Sequence, residues 1–380
     1  MFLKVFSFSF LQLSAAIMFL STRRVLSTFR MFSSAASDEV LFEVKNNVGI
    51  ITLNRSKVLN SLNEPMVSAI YSKLKEWENE RSFVIVKGAG EKAFCAGGDV
   101  VSATRNTSEG IEFFRKEYTM DYLIGMYKKP FISLCDGITM GGGVGISVHG
   151  PYRIATEKTL FAMPETAIGL FPDVGGSYFL PRLQGKLGLF LGLTGFRLKG
   201  IDVVKAGVAT HFIPSENVTD LFNKLVNSDA DSIEDILNKT TVDISGKDFT
   251  LSPYLDLINS CFGGESIEQI QVLLQNEGSQ WSKNTLELLS KVSPASLKIT
   301  KREIDLGASQ NLRSCFITEF RLARAALKKT ISPDFYEGVR ALLVDKDKNP
   351  KWSPASLQDI SDSDVEKCFA PLPSGEELDI

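Results

Sequence analysis

Histidine is scarce in this sequence: only His149 and His211 occur among 380 residues. A zinc hydrolase commonly needs two or three histidine ligands at close spacing. A Ser-His-Asp triad needs a histidine beside a nucleophile elbow of the GxSxG type, which is absent. The shortage therefore excludes these two mechanisms and leaves carboxylates as the expected acids and bases. His149 stands between Val148 and Gly150, which predicts a structural histidine at a helix end.

Cysteine pairs and an excess of positive charge are also lacking. The five cysteines are odd in number, widely spaced and without a CxxC pair, which predicts buried thiols in a reducing compartment and no structural zinc or other metal site. Lys and Arg number 42 against 45 Asp and Glu, and the body of the chain has no long basic stripe. Because phosphate backbones are bound mainly by clustered Lys and Arg, no nucleic-acid partner is predicted.

Acidic residues are missing from the first 37 positions. This segment contains four basic residues, eight serines and no Asp or Glu. An Arg- and Ser-rich, acid-free stretch is typical of a mitochondrial presequence. The apolar residues 2–20 are interrupted by Lys4, Gln12 and serines and barely reach the roughly 20 residues that a membrane span requires. Residues 1–37 are therefore predicted to be a targeting presequence, and the mature protein is expected in the mitochondrial matrix without membrane insertion.

The body begins with a pattern typical of a β-hairpin, two apolar runs in residues 40–53 separated by Asn46 and Asn47. A helix capped by Asn63 is predicted next, with an apolar face at helical spacing that ends at Trp77. Short buried strands are predicted at Phe83–Val86 and Phe131–Leu134. The repeated strand-strand-helix order predicts an α/β fold.

The second half of the sequence is predicted to be largely helical. Residues 215–310 are polar, Ser/Asn-rich and less periodic, ending where Ser293 is predicted to cap a helix. Strong amphipathic patterns follow at 313–329 and from Ser332 onwards. The predicted organisation is a core over residues 38–230 and a mainly helical region over residues 231–380.

Three glycine-rich points carry the candidate chemistry: the first two follow strands, and the third lies shortly downstream. They are Ala96-Gly97-Gly98-Asp99, Met140-Gly141-Gly142-Gly143-Val144-Gly145 and Pro172-Asp173-Val174-Gly175-Gly176. Glycine lets backbone N–H groups approach a ligand closely, so two such loops can direct two donors at one developing oxyanion. The stretch Gly88–Ala93 fits GxGxxG/A, with alanine at the last position, but it leads into poor helix formers, so no dinucleotide site is predicted. A GxxxxGK[S/T] phosphate loop is absent, which argues against ATP or GTP chemistry.

From about residue 40 on, the sequence resembles the crotonase (enoyl-CoA hydratase/isomerase) superfamily. The motifs that carry the resemblance are VGIITLNRSKVLNSL, KAFCAGGD, GITMGGGVG and MPETAIGLFPDVGG. The resemblance implies a spiral of ββα units, a C-terminal helical region that closes an acyl-CoA site, and no metal or redox cofactor. Members commonly assemble as trimers, so a homo-oligomer is one expectation, and the oligomeric state stays open.

The resemblance also implies roles for individual positions. The backbone amides of Gly98 and Gly142 would form the oxyanion hole. Glu117 would accept a hydrogen bond from a substrate β-hydroxyl. Coenzyme A, as part of the substrate, would be lined by Lys57, Val58, Leu59 and Ala96.

Departures from the family pattern indicate which reaction is expected. Hydratases of the superfamily carry a glutamate where this chain has Gly145, whereas their second glutamate is kept as Glu165. An additional carboxylate, Asp173, follows eight residues later. The resemblance therefore implies hydrolysis of 3-hydroxyacyl-CoA thioesters, with 3-hydroxyisobutyryl-CoA of valine breakdown as the expected substrate. Glu165 would either activate water or attack the thioester directly.

Two other functions stay open at this point. An enoyl-CoA hydratase or isomerase of the same fold would act on crotonyl-CoA without releasing a thiol. A scaffold that has kept the pocket without the activity is disfavoured because both Glu165 and Asp173 are present.

Overall fold

The computed structural model of the chain describes residues 38–380, so the predicted presequence lies outside the described residues. The first element is the predicted hairpin, formed by antiparallel strands β1 (Val40–Lys45) and β2 (Val48–Leu53). Asn46 and Asn47 between them have φ angles of 46° and 69°, the left-handed conformation that a tight hairpin turn requires. The hairpin prediction is confirmed.

The remaining strands are short and alternate with helices. In chain order they are β3 (Phe83–Gly88), β4 (Ala93–Cys95), β5 (Phe131–Cys135), β6 (Ile138–Met140), β7 (Tyr152–Ala155), β8 (Leu160–Ala162), β9 (Leu198–Lys199) and β10 (His211–Phe212). The helices up to residue 230 are α1 (Glu64–Glu80), α2 (Val100–Ala103), α3 (Thr107–Gly125), α4 (Gly142–Val148), α5 (Gly176–Phe179), α6 (Leu187–Thr194), α7 (Ile201–Lys205) and α8 (Val218–Val226).

The later part of the chain is helical. Its helices are α9 (Ile233–Thr240), α10 (Leu255–Cys261), α11 (Ile267–Glu277), α12 (Gln280–Leu289), α13 (Pro294–Gly307), α14 (Leu312–Leu327), α15 (Asp334–Val339), which continues as a π-helix over Arg340–Val344, and α16 (Asp362–Phe369). Within residues 38–380, no helix combines the length and the apolar character needed to cross a bilayer.

Two sheets are built by one repeating connection. The larger sheet has the order β1-β2-β3-β5-β7-β10, and the smaller one has the order β4-β6-β8-β9. Each repeat of the chain adds one strand to the large sheet, one strand to the small sheet and then a helical segment. As a result, β3, β5 and β7 are parallel in the large sheet, and β4, β6 and β8 are parallel in the small sheet. Parallel neighbours need such crossovers because a tight turn only joins antiparallel strands. The expected spiral of ββα units is confirmed.

Helix α1 shows how the sequence fixes these elements locally. The Asn63 side chain accepts a hydrogen bond from the Met66 amide at 3.1 Å, which satisfies one of the free donors at the helix start. The apolar face predicted from the spacing is buried, ending at Trp77, whose ring leaves no room for a side chain at Gly49 of β2. The predicted cap and the predicted buried face are both confirmed.

The C-terminal helices pack directly on the α/β part. Helix α14 lies along α3, where the Phe316 ring is 5.9 Å from the Tyr118 ring and 6.3 Å from the Tyr122 ring. The main apolar core contains residues from both parts, including Phe171 and Phe320. The division near residue 230 stays a prediction, but this packing places buried side chains of the helical region next to the α/β loops.

Three expectations about scarce or suggestive residues are confirmed. All five cysteines are free and buried. His149 follows the last residue of α4, is half-buried, and lies with Nε2 2.8 Å from the Val174 carbonyl oxygen. The stretch from Gly88 leads into strand β4 rather than into a helix, as its poor helix formers predicted.

Candidate active site

The loops that carry the candidate residues leave the small sheet at one edge. Strands β4, β6 and β8 are parallel neighbours, with Cys95 opposite Thr139 and Met140 opposite Ala162. Parallel strands present their C-terminal ends on the same side, and ligands of such sheets bind there. The turn with Gly98, the turn with Gly142 and the loop with Glu165 follow these three ends, so topology brings them together.

Two backbone amides are left free at this edge. A β-carbon at Gly142 would be 3.1 Å from the Gly98 amide nitrogen, so the two turns are in contact. In the described part of the chain, no oxygen accepts a hydrogen bond from either amide. The preceding Gly97 and Gly141 have φ angles of 121° and 47°, and side-chain-bearing residues rarely adopt them. Since buried N–H groups are almost always paired, two free ones side by side indicate a place for a ligand oxygen.

Glu117 is aimed at these amides from helix α3. Its side chain is 1% exposed, which excludes a solvated helix face, and Oε1 has no hydrogen-bond partner among the described residues. A β-carbon at Gly98 would lie 3.5 Å from this oxygen, and one at Gly142 would overlap it. The Glu117 carboxyl therefore faces the same space as the two amides.

Glu165 and Asp173 complete the buried acidic group. Both are 5% exposed. A β-carbon at Gly141 would lie 2.9 Å from Glu165 Oε1, while Glu165 Oε2 has no partner among residues 38–380. The Tyr118 hydroxyl donates a hydrogen bond of 2.9 Å to Asp173 Oδ2, which fixes one oxygen of that carboxylate.

Burial raises the pKa of all three carboxyls. For Glu165 and Glu117, desolvation is the largest cause, and the charge of Asp173 raises each pKa further. Burial raises the pKa of Asp173 to about 7, and the hydrogen bond from Tyr118 opposes the rise. Neighbouring carboxyls that hold protons near neutral pH are suited to general acid and base catalysis.

The residues expected to line coenzyme A lie at a surface cavity beside this edge. Lys57 and Leu59 line a cavity of about 360 Å³ together with Lys92. Ala96 is joined to Leu59 by a backbone hydrogen bond of 3.0 Å, and the side chain of Val58 is 48% exposed. The four predicted positions are thus neighbours, and their contact with coenzyme A stays a prediction.

Sequence reasoning missed further buried polar residues around the site. They are Tyr118, Asp121, Glu303 and Glu319. A signal for them existed in the spacing: Asp121 follows Glu117 by one helical turn, and Glu319 stands among Cys315, Phe316 and Ala323 on the apolar face of its helix. A charged residue on such a face is rarely buried without a specific role.

Asp121 lies behind Gly145, the position at which the chain departs from the hydratase pattern. A β-carbon at Gly145 would be 2.5 Å from Asp121 Oδ2, so a larger side chain does not fit there. Asp121 is fully buried, and neither of its oxygens has a hydrogen-bond partner in residues 38–380. Burial raises its pKa well above the usual value, with further contributions from the charges of Glu117, Asp173 and Glu319.

This placement predicts how Asp121 affects stability. Because its pKa is raised in the folded state, protonated Asp121 favours folding. This contribution to the free energy of unfolding is complete below about pH 4 and is lost as the pH rises towards the folded-state pKa. Above about pH 5, the unfolding free energy should therefore fall less steeply with pH in Asp121→Asn than in the wild type. The difference in slope should be roughly 1.4 kcal/mol per pH unit. Urea unfolding at several pH values measures it. The control is Asp256→Asn, at an exposed position, which should leave the slope unchanged. Parallel plots of unfolding free energy against pH for Asp121→Asn and the wild type would contradict the prediction.

The side chains at this edge do not resemble a metal centre. Across residues 38–380, no group of three or more His, Cys, Asp or Glu side chains has an arrangement that could hold a metal ion. That the reaction needs no metal or redox cofactor stays a prediction.

Comparison with known proteins places this geometry in a family. A family model for enoyl-CoA hydratase/isomerase matches residues 48–369. The protein named "3-hydroxyisobutyryl-CoA hydrolase, mitochondrial" from Danio rerio is 50% identical over 376 residues, which cover 94% of this chain and 97% of that protein. The protein of the same name from Homo sapiens is 48% identical over 372 residues, 94% of this chain and 95% of that one.

The fold comparison agrees with the sequence comparison. The crystal structure of a carnitinyl-CoA dehydratase from Mycobacterium thermoresistibile matches with a TM-score of 0.83 and 37% sequence identity, covering 90% of this chain and 98% of that one. From the match over residues 48–369 and the extent of these similarities, the chain belongs to the enoyl-CoA hydratase/isomerase, or crotonase, family.

Proposed function

We propose that this chain hydrolyses 3-hydroxyisobutyryl-CoA, and related 3-hydroxyacyl-CoA thioesters, to the free hydroxy acid and coenzyme A. The relatives from Danio rerio and Homo sapiens carry the name of that activity. Their names also include "mitochondrial", which agrees with the acid-free first 37 residues. We place the reaction in valine breakdown in the mitochondrial matrix.

One observation carries the proposal: Glu165 and Asp173 are both buried at this edge, and Gly145 stands where a hydratase has its other glutamate. Adding water to a double bond needs an acid and a base on either side of that bond. Here the second carboxylate is supplied by the Asp173 turn, on a different segment, and the Gly145 position is closed by Asp121 and Val174. A carboxylate pair beside two free amides fits attack of water on a thioester carbonyl.

In the first step, the thioester carbonyl oxygen would accept hydrogen bonds from the amides of Gly98 and Gly142. Glu165 would remove a proton from the attacking water, or attack the carbonyl itself to give an anhydride that water then opens. Either route places negative charge on the carbonyl oxygen. The two amides stabilise that charge, and each such donor contributes roughly 3 to 4 kcal/mol in comparable sites.

In the second step, the tetrahedral intermediate expels the thiolate of coenzyme A. A thiolate is a good leaving group, so a strong general acid is not required. Asp173, with its pKa near 7, can give its proton to the departing sulfur and regain one from the water that is consumed in the reaction. At neutral pH the products are a carboxylate, the coenzyme A thiol and one released proton.

The nucleotide end of the substrate would occupy the cavity of about 360 Å³ that Lys57 and Lys92 line. Ammonium groups at its rim suit the phosphates of coenzyme A. The backbone bond between Ala96 and Leu59 ties this cavity to the turn that carries Gly98. Binding of the nucleotide would in this way set the distance from the thioester to the oxyanion hole.

The test of this function compares two assays on the same purified chain, started after the first 37 residues. We expect coenzyme A thiol to be released from 3-hydroxyisobutyryl-CoA, and more slowly from the matching acyl-CoA without the hydroxyl. With crotonyl-CoA, we expect little loss of the enoyl absorbance. Rapid hydration of crotonyl-CoA without thiol release would contradict the proposed hydrolase and show that the chain is a hydratase.

Glu117 should give the preference for a 3-hydroxyl group. Its free, buried Oε1 can accept a hydrogen bond from that hydroxyl, and the loss of a buried hydrogen bond costs roughly 10- to 100-fold in rate. Glu117→Ala should therefore slow turnover of 3-hydroxyisobutyryl-CoA by that factor more than turnover of the acyl-CoA without the hydroxyl. Thiol-release kinetics on both substrates measure the ratio.

The exposed Glu112 on the same helix provides the matched control, and Glu112→Ala should affect neither substrate. Equal losses on the two substrates in Glu117→Ala would contradict a role of Glu117 in reading the hydroxyl.

A further inference from the structure

The turn that carries Asp173 has a strained backbone. Val174, the next residue, has a φ angle of 53°, in the left-handed region that β-branched residues rarely occupy. Gly175 after it has a φ angle of 83°, which glycine adopts freely. Val174 is fully buried. A strained residue persists only where its surroundings hold it, and this one directly follows Asp173.

One support comes from the C-terminal helical region. Glu319 on α14 is fully buried, and its Oε2 accepts a hydrogen bond of 2.7 Å from the Gly175 amide. Its Oε1 accepts bonds of 3.0 Å and 2.5 Å from the amide and the hydroxyl of Ser177. One carboxyl group therefore binds the turn immediately after Val174 through both of its oxygens.

The other support comes from the α/β part. The carbonyl oxygen of Val174 can only accept, so His149, 2.8 Å away, donates to it from Nε2. The His149 ring is itself fixed against Phe316 of α14, with ring centroids 5.4 Å apart. His149 and Glu319 thus hold the carbonyl and the amide of one peptide group, the one that joins the strained Val174 to Gly175.

We propose that Glu319 and His149 are positioning residues that hold the Asp173 turn in its strained, productive conformation. Neither is assigned contact with the substrate, and both act through Val174 and Gly175. The inference rests on the catalytic role proposed for Asp173. It gives the C-terminal helical region a part in catalysis as well as in covering the site.

Glu319→Gln tests the proposal with little change of shape. A glutamine has one acceptor oxygen and one NH2 group, so its NH2 would face the amide of either Gly175 or Ser177 and leave that amide without an acceptor. We expect kcat for thiol release to fall about 10- to 100-fold, the scale of a small misplacement of a catalytic group. KM should stay within about threefold of the wild type because Glu319 does not touch the substrate. An unchanged kcat would overturn the proposal.

A second substitution separates positioning from general damage. Glycine adopts a positive φ without strain, so the turn should keep its conformation with less support. The double variant Glu319→Gln, Val174→Gly should therefore have a kcat at least about fivefold above that of Glu319→Gln alone. The single variant Val174→Gly completes the double-mutant cycle. A loss that Val174→Gly does not reduce would overturn the proposal. If Glu319→Gln does not fold, His149→Phe, which keeps the ring and removes the donor, is used in the same cycle with the same criterion.

Two further readouts distinguish failure of this inference from failure of the proposed function. Absence of thiol release by the wild-type chain would refute the function. Hydrogen exchange in residues 171–179 tests the support of the turn by Glu319 without any substrate. Glu319→Gln should increase exchange at the amides of Gly175 and Ser177. Unchanged exchange there would overturn the inference whatever the activity.

Discussion

Replacing Asp173 with asparagine should lower thiol release from 3-hydroxyisobutyryl-CoA by at least about 100-fold, the lower scale of acid and base catalysis. The substitution keeps the size of the side chain and can still accept the hydrogen bond from Tyr118. It removes the titratable proton at a site where burial raises the pKa to about 7. Folding and binding of the acyl-CoA should survive. Steady-state thiol release measures the loss, and calorimetry measures the binding.

Glu165→Gln should have a comparable effect because the two carboxyls are proposed to act in the same hydrolysis. If they work as one unit, the double variant should lose little more than the worse single variant. Near-normal hydrolysis by Asp173→Asn would reduce Asp173 to a turn residue. The case against a hydratase would then depend on Gly145 alone.

Replacing Gly142 with alanine should cost about 100- to 1,000-fold in kcat, the range for loss of an oxyanion-hole donor. The added β-carbon would overlap Glu117 Oε1 and come within 3.1 Å of the Gly98 amide nitrogen. The methyl group would therefore occupy the space for the substrate oxygen and displace one or both donors. Alanine keeps the backbone N–H, so the loss would arise from the blocked space rather than from a missing group.

A second glycine provides the matched control for this substitution. Nothing lies within 4 Å of a β-carbon placed at Gly246, so Gly246→Ala should leave kcat unchanged. Thiol release by the two variants, with thermal unfolding to confirm that both fold, measures the difference. Wild-type activity in Gly142→Ala would show that the oxyanion is stabilised elsewhere.

The loops of the site could be predicted because their signals are local. Gly98, Gly142 and Glu165 each stand a few residues after a short apolar run, and parallel strands bring such loops to one edge. The free amides that mark this edge depend on two glycines at positive φ, which the GG repeats already suggested. Resemblance to the crotonase superfamily then added roles that local patterns alone do not give.

The supports of Asp173 could not be predicted, because they come from distant segments. Tyr118 is 55 positions from its partner Asp173, and Glu319 is 144 positions from Gly175. Periodicity shows that Glu319 lies on a buried face, but it cannot show which loop that face meets. The helices of residues 215–310 were indistinct for another reason. Several of them are short and bury few side chains, such as Ile233 and Leu237 in α9.

The position of an oxygen isotope tests the central claim most directly. The wild-type chain is incubated with 3-hydroxyisobutyryl-CoA in water enriched in oxygen-18, and the products are analysed by mass spectrometry. Hydrolysis predicts free coenzyme A thiol and one heavy oxygen in the carboxylate of the hydroxy acid, with none in its hydroxyl group. Heavy oxygen in the 3-hydroxyl of an intact thioester, introduced by reversible loss and addition of water, would contradict the hydrolase and identify a hydratase.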